Sequence, residues 1–415
     1  MQVRQLLALL RPNESAFYKG HMVTQTSHLP VEVWMMIVNL VEDHCDLRCL
    51  RAANRQLRAL ASRRLFKTLQ VNNDNDMAHS VTNALEAVQS RYVSPLISRV
   101  THEVLWANVM PCMHCSYTVY LLHDLTGLTG KDVKTRRQLS SLFSQIYRLP
   151  ALAAIHCRFF GDQICSQTSK STQADYTNPI YPEQQLILDA IFSQPLPSSV
   201  KSLTLDNLLP FMTEIYDRPA FVSAVQRLSY LDLSFLEDEE VGYWDTIVHK
   251  RFLGVCGASL TSLHLARNGE LEQDSSITFD GLCFPSLHTL SLTWLFFDRT
   301  GSRESKCTLE QFITRHSATL RQLELKPYYA IIKKGPLPGP GGPFTPVWER
   351  LACAMDHLVK IDIVTHDPYR QISESPPGKL LVTNSAHTLV SNDQRQADIK
   401  ALARFWRAVR LSSQL

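Results

Sequence analysis

The chain has no apolar run approaching the ~18 residues that a membrane-spanning helix needs. The run Leu6-Leu7-Ala8-Leu9-Leu10 is too short for the core of a secretion signal, and Arg11-Pro12 closes it. Cysteine is sparse, with 10 residues scattered through 415. That density does not make a disulfide scaffold, so the thiols read as reduced and the expected location is cytoplasmic or nuclear. Charge of one sign is lacking as well: 42 basic and 39 acidic residues leave a formal net charge of +3. So small an excess exerts no bulk pull on polyanions, and neither nucleic acid nor membrane is expected as a partner.

Complete catalytic motifs are also missing. His102-Glu103-Val104-Leu105-Trp106 begins like the zinc-protease helix, but Trp106 stands where the second histidine must be. Around Gly127 and Gly130-Lys131-Asp132, Leu125 replaces the first glycine of a phosphate loop and Asp132 its magnesium-binding hydroxyl. Cys112-Met113-His114-Cys115 has half the spacing of a zinc knuckle; no second close pair follows, although Cys157 and Cys165 would in principle complete four ligands. No G-x-S-x-G occurs. The expectation is a protein that is not an enzyme and carries neither cofactor nor metal.

What is present is ordinary core-forming material, 45% hydrophobic and 20% charged, enough for two or three domains or one repeat array. From His28, Pro30 suits a first helical turn. Val33, Met36, Ile37, Leu40 and Val41 then recur at three- and four-residue steps, which predicts a helix with one apolar face. Asp46 is the expected N-cap of a second helix carrying Leu47 and Leu50, and Asn54 that of a third carrying Leu57, Leu60 and Ala61. About forty residues are too few to bury all of this alone. The surplus packs either on the chain that follows or on a partner.

The run Leu29-Pro30-x-Glu32-Val33-x-x-x-Ile37-x-x-Leu40, then Asp46-Leu47-x-x-Leu50-Arg51, then Arg55-x-Leu57-Arg58-x-Leu60-Ala61 and Leu65-Phe66, resembles an F-box. Its ending, Arg64-Leu65-Phe66-Lys67-Thr68-Leu69, is similar to the version common in fungal F-box proteins. Val33 and Trp34 replace the more usual Ile/Leu pairings. The resemblance implies a Skp-type adaptor as partner and, through it, a cullin and a RING subunit. Carried over position by position, it implies adaptor contacts at Leu29, Pro30, Val33, Ile37, Leu40, Leu47 and Leu50.

The second half repeats L-x-x-L-x-L. Copies run Val200–Leu205, Leu228–Leu233, Leu260–Leu265, Leu287–Leu292 and Leu320–Leu325, with a degenerate one at Leu358–Ile363. Leu152–Cys157 and Ile97–Val100 are fainter candidates. Period-two alternation puts the paired leucines on one side of a short strand and the intervening residue on the other. Stacked strands then share one core, the pattern of a leucine-rich-repeat solenoid. The steps are long and uneven, and Asn268 is the one consensus asparagine, with Leu208, Leu236, Leu295 and Tyr328 in its place elsewhere. The outward residues Thr204, Asp232, His264, Ser291, Glu324 and Asp362, flanked by Tyr230, Gln322 and Lys360, are the candidate surface for an unknown protein target.

The expected organisation is therefore α/β: a tail over 1–27, a three-helix F-box over 28–71, and a helical or degenerate repeat region over 72–195. An irregular solenoid follows over 196–366, interrupted by a Pro/Gly-rich insertion at 335–346, then a loop over 367–394. Helices are expected at Glu183–Phe192 and behind the capping-box spacing Thr308–Gln311. The acidic run Glu237–Glu240 reads as a solvated loop. Residues 395–415 form an amphipathic cap with Ile399, Leu402, Phe405, Trp406 and Val409 on one face. The function expected is substrate recognition in an SCF-type ubiquitin ligase. The alternative is a non-catalytic repeat scaffold with no ligase role.

Overall fold

A computed structural model describes residues 30–53, 55–72, 77–103, 109–111, 118–120, 130–159, 180–208, 213–236, 243–268, 279–293, 295–297, 308–326, 328–333, 343–364, 369–375, 379–383 and 390–412. Three helices come first: α1 (Val31–Leu40), α2 (His44–Ala53) and α3 (Arg55–Leu65). They share a small core of Trp34, Val38, Val41, Leu47, Leu50, Leu57 and Ala61, separate from the core of the remaining chain. Nearly every side chain of α1 is apolar, so periodicity alone does not choose its inner face. The structure buries Trp34, Val38 and Val41; of the expected face Val33, Met36, Ile37, Leu40 and Val41, only Val41 is buried, Val33 and Ile37 are half-buried, and Met36 and Leu40 are exposed. Asp43, not Asp46, caps α2: its Oδ1 accepts from Cys45 N–H at 2.7 Å. Asn54 lies outside the described residues.

Nine strands form one all-parallel sheet in chain order. They are β1 (Thr68–Asn72), β2 (Arg99–Glu103), β5 (Ala154–Arg158), β6 (Ser202–Leu208), β7 (Tyr230–Leu236), β8 (Ser262–Asn268), β9 (Thr289–Thr293), β11 (Gln322–Leu325) and β13 (Lys360–Ile363). Between β2 and β5 lie β3 (Val109–Pro111) and β4 (Thr118–Tyr120), an antiparallel pair. Parallel neighbours need crossovers, and helices supply most of them: α4 (Met77–Gln89), α5 (Gly130–Phe143), α6 (Ile180–Ile191), α7 (Pro219–Gln226), a π-helical turn at Trp244–Phe252, α8 (Thr308–Arg315) and α9 (Thr345–Ala354).

One backbone device repeats at each step. The carbonyls of Lys67, Ser98, Ala153, Lys201, Ser229, Thr261, His288 and Arg321 each accept two successive N–H groups from the start of the next strand, at 2.8–3.1 Å. It fixes the same register from β1 to β13. It therefore extends to β1, β2 and β5, where the leucine pattern is weak or missing. Inside, Leu203, Leu205, Leu231, Leu233, Leu263, Leu265, Leu290, Leu292, Leu323 and Leu325 are buried. Behind them aromatic contacts pass between crossovers, as in Phe192–Phe221 at 4.9 Å, Phe221–Phe252 at 5.0 Å, Trp244–Phe279 at 5.3 Å and Phe279–Phe312 at 4.6 Å. Gly257 turns close under Gln226, where an added Cβ would lie 2.2 Å from that carbonyl oxygen.

The expected loop over 367–394 is corrected. It contains β14 (Tyr369–Ser375) and β15 (Lys379–Thr383), an antiparallel pair around Pro376-Pro377-Gly378. They complete a second sheet with β10 (Leu295–Phe297) and β12 (Tyr328–Lys333), ordered β10-β12-β14-β15. These strands were missed because their apolar residues do not alternate cleanly. The last helix, α10 (Asn392–Ser412), begins three residues before the expected cap. Ala401, Leu402, Phe405 and Val409 are buried, whereas Ile399 and Trp406 of the expected face are exposed. Thr345 Oγ1 donates to Asp398 Oδ1 at 2.7 Å, and Trp348 stacks on Phe405, so α10 is held on α9. Among the described residues no helix is long and apolar enough to cross a membrane.

His316 is a core residue with a titratable consequence. Its Nε2 accepts from Phe284 N–H and its Nδ1 donates to Phe312 O, both at 2.8 Å, which requires the neutral ring. Burial pushes its pKa below 6.5, with the Arg315 charge acting the same way and the Phe312 hydrogen bond opposing. The unfolded chain then binds the proton more readily, so this contribution is complete above about 6.5 and is lost as pH falls through the lowered folded value. Urea midpoints are expected to drop below that pH in the wild type, and less steeply in His316→Gln. Parallel slopes for the two proteins would assign the acid loss elsewhere.

Candidate functional site

Strand pairing places the six outward residues in one row. Thr204, Asp232, His264, Ser291, Glu324 and Asp362 are register partners in succession. The row continues through His156, Thr101 and Gln70, which the sequence reading did not select because their strands carry few leucines. Tyr230, Ser262, Thr289, Gln322 and Lys360 form the row beside it. The partly exposed side chains lie opposite the leucine core. Ser291 is the exception: it is 7% exposed and supports Glu324 by a hydrogen bond instead of presenting itself.

The first polar cluster spans β2 to β8. Arg158 Nη1 donates to Glu103 Oε1 at 3.0 Å, and its Nε lies 3.5 Å from Asp206 Oδ2. His156 Nε2 meets the same Asp206 oxygen at 2.8 Å. Tyr230 O–H donates to Asp232 Oδ2 at 3.1 Å, and its ring lies 5.1 Å from that of His264. Burial raises the Asp232 pKa, opposed by His264 and assisted by Asp206. Burial, then the Asp232 charge, raises that of the Tyr230 phenol.

Directly after Asp206, Asn207 has a φ of 57°, and the pairing with β7 shifts there. Asparagine tolerates this left-handed conformation better than most residues. Its N–H donates to Ser234 Oγ at 2.7 Å, and Ser234 donates back to Asn207 Oδ1 at 3.2 Å. The buried bulge fixes the strand on which Asp206 sits. Reading consensus asparagines one position later hid this residue.

The second cluster joins β11 and β13. Lys326 Nζ reaches Asp362 Oδ2 at 2.7 Å and also pairs with Glu324. These hydrogen bonds, Asp362 first, push the lysine up to about 12. Burial raises the Glu324 carboxyl, but hydrogen bonds from Lys326 and Ser291 outweigh it and hold the pKa below its ordinary value. The face thus offers carboxylates, cations, imidazoles and hydroxyls, with charges of both signs. That repertoire suits polar contact with a protein surface.

A second candidate surface lies on α1. Met35, Met36 and Leu40 are exposed, Leu40 by 80%, and so is Pro30 at the start of the helix. Val33 and Ile37 are half-buried, while Leu47 and Leu50 are 2% and 1% exposed and hold the three helices together from inside. Leu29 lies outside the described residues. The sequence reading did not single out Met35 or Met36 as contacts.

His102 is buried against Phe143 at 5.6 Å while its neighbour Glu103 pairs with Arg158, as alternation on a strand demands. Cys157 is buried, and burial followed by the Asp206 charge raises its thiol pKa. Cys112, His114, Cys115 and Cys165 lie outside the described residues, as do Gly127, Glu237–Glu240 and most of the Pro/Gly-rich segment. Among the described residues no group of three or more ligating side chains is placed to hold a metal ion. No protein-family model matches the chain, and no curated protein matches it.

Proposed function

We propose that this protein is the substrate-recognition subunit of an SCF-type ubiquitin ligase. In this reading the N-terminal helices are an F-box that binds a Skp-type adaptor. The parallel sheet is the strand face of a leucine-rich-repeat solenoid that binds a protein target. The observation that carries it is the exposed apolar face of Met36 and Leu40, flanked by the half-buried Val33 and Ile37, on a three-helix unit directly preceding the sheet. So small a unit has too little interior to bury them, and a contiguous exposed apolar face marks an interaction site.

The contribution to catalysis is positional. The row from His156 to Asp362 holds the target, and the adaptor, through a cullin and a RING subunit, brings the charged enzyme to it. The chemistry belongs to those other subunits. No cofactor is needed by this chain.

The test is co-purification of the full chain with a Skp-type adaptor and cullin, comparing wild type with Met36→Asp/Leu40→Asp. Both positions are exposed, so the variant is expected to keep its circular dichroism and lose adaptor capture by about 100-fold or more, as loss of central apolar anchors does. Equal capture by both proteins would remove α1 as the contact. Capture by neither would leave the repeat-scaffold alternative, without a ligase role.

A further inference from the structure

Between Arg48 and Lys67 the chain has seven basic residues and no acidic one. Without this segment, the formal charge of the whole chain would change from +3 to −4. The near balance of the composition therefore conceals a local concentration of cations on α2, α3 and the turn that follows. Six of the seven, Arg48, Arg51, Arg55, Arg58, Arg63 and Lys67, are exposed. None of the six is ion-paired with a described acidic residue, although Arg158, Arg218, Arg251, Lys326, Arg350 and Arg404 all are. Arg51 lies 5.3 Å over the Phe66 ring, which orients it without neutralising it.

The seventh cation ties this surface to the apolar one. Arg64 Nη1 donates to Val38 O near the C-terminal end of α1, where a positive charge complements the helix dipole. Val38 is two residues from Leu40, the most exposed of the large apolar side chains. Arg64 therefore links the cation-rich segment to the end of α1 that carries Leu40, and one three-helix unit carries both the apolar face and the cations. Like charges held together repel one another, and an opposed acidic surface would relieve that repulsion. Single-stranded nucleic acid fits less well, because binding it draws on exposed aromatic rings for stacking, and the described residues here offer only the half-buried Phe66 under Arg51.

We infer that this basic surface docks carboxylate side chains rimming the apolar groove of the protein that receives α1, and that it steers that partner into contact. The inference rests on the adaptor reading above. It adds that the adaptor is acidic around its groove and that the arginines act mainly on the rate of association.

The experiment measures association and dissociation of the full chain with a purified Skp-type adaptor at about 50, 150 and 500 mM salt, where the screening length shrinks several-fold. Wild type is compared with Arg55→Glu/Arg58→Glu and with Met36→Asp/Leu40→Asp. Arg55 and Arg58 are exposed, so circular dichroism should be unchanged. The charge variant should associate roughly ten-fold more slowly at low salt, approach wild type at high salt, and dissociate at nearly the wild-type rate. The apolar variant should dissociate faster at every salt concentration.

An adaptor complex whose association ignores both salt and the charge variant would overturn the inference and leave the adaptor reading standing. No complex with wild type would overturn both. Anionic vesicles or a single-stranded oligonucleotide binding wild type more tightly than the adaptor, and losing that binding in the charge variant, would give the surface to that ligand instead.

Discussion

Arg350→Ala is expected to cost about 3–5 kcal/mol of folding stability, read from urea unfolding. The Glu310 side chain is fully buried, and Arg350 meets both of its oxygens, Nε–Oε1 at 2.5 Å and Nη2–Oε2 at 2.7 Å. This fork pins α8 to α9. Removing the guanidinium leaves a fully buried carboxylate with one fewer cation, and that penalty exceeds what an exposed pair would lose. A Glu310→Met/Arg350→Met double replacement should lose much less, because no charge remains to be buried. If Arg350→Ala loses under about 1 kcal/mol, the pair does not hold the two helices together.

Leu263→Ala and His264→Ala should differ sharply although they are neighbours. Leu263 is 0% exposed between flanking leucines of β7 and β9, and its truncation should cost about 2–5 kcal/mol, depending on how far the cavity closes. His264 stands on the open face, where its Nε2 contacts Ser262 Oγ at 3.1 Å. Its loss should change stability by about 1 kcal/mol or less and, in the proposed function, affect target binding. Thermal and urea unfolding of the two variants compare them directly. Equal losses would mean that alternate residues of β8 do not separate into a core face and an open face.

That contrast is legible in the sequence because alternation is local. Leu263, His264 and Leu265 need only be a strand for their sides to be assigned. The same logic placed Thr204, Asp232, Glu324 and Asp362 on the partly exposed face, and the 3.6-residue period found α10 from Leu402, Phe405 and Val409. Periodicity gave no such answer on α1, where Met35, Met36, Ile37 and Val38 follow one another. There only packing against Leu50 and Leu57 selects Trp34 and Val38 for the interior. Ser291 shows another limit: it alternates as the others do, yet its neighbours cover it.

From the sequence alone came the alternation that makes the strands and a leucine spacing that calls for a shared core. The tertiary structure decided what depends on residues distant in the chain. It joined β1, β2 and β5 to the sheet through carbonyls that accept two amides apiece, it paired Glu310 with Arg350 across forty residues, and it set Asn207 against Ser234. Backbone hydrogen bonds are open to almost any residue, so the degenerate strands carry no side-chain signature of the neighbour they will find. A buried ion pair likewise has no local period, because its geometry exists only once both helices are in place.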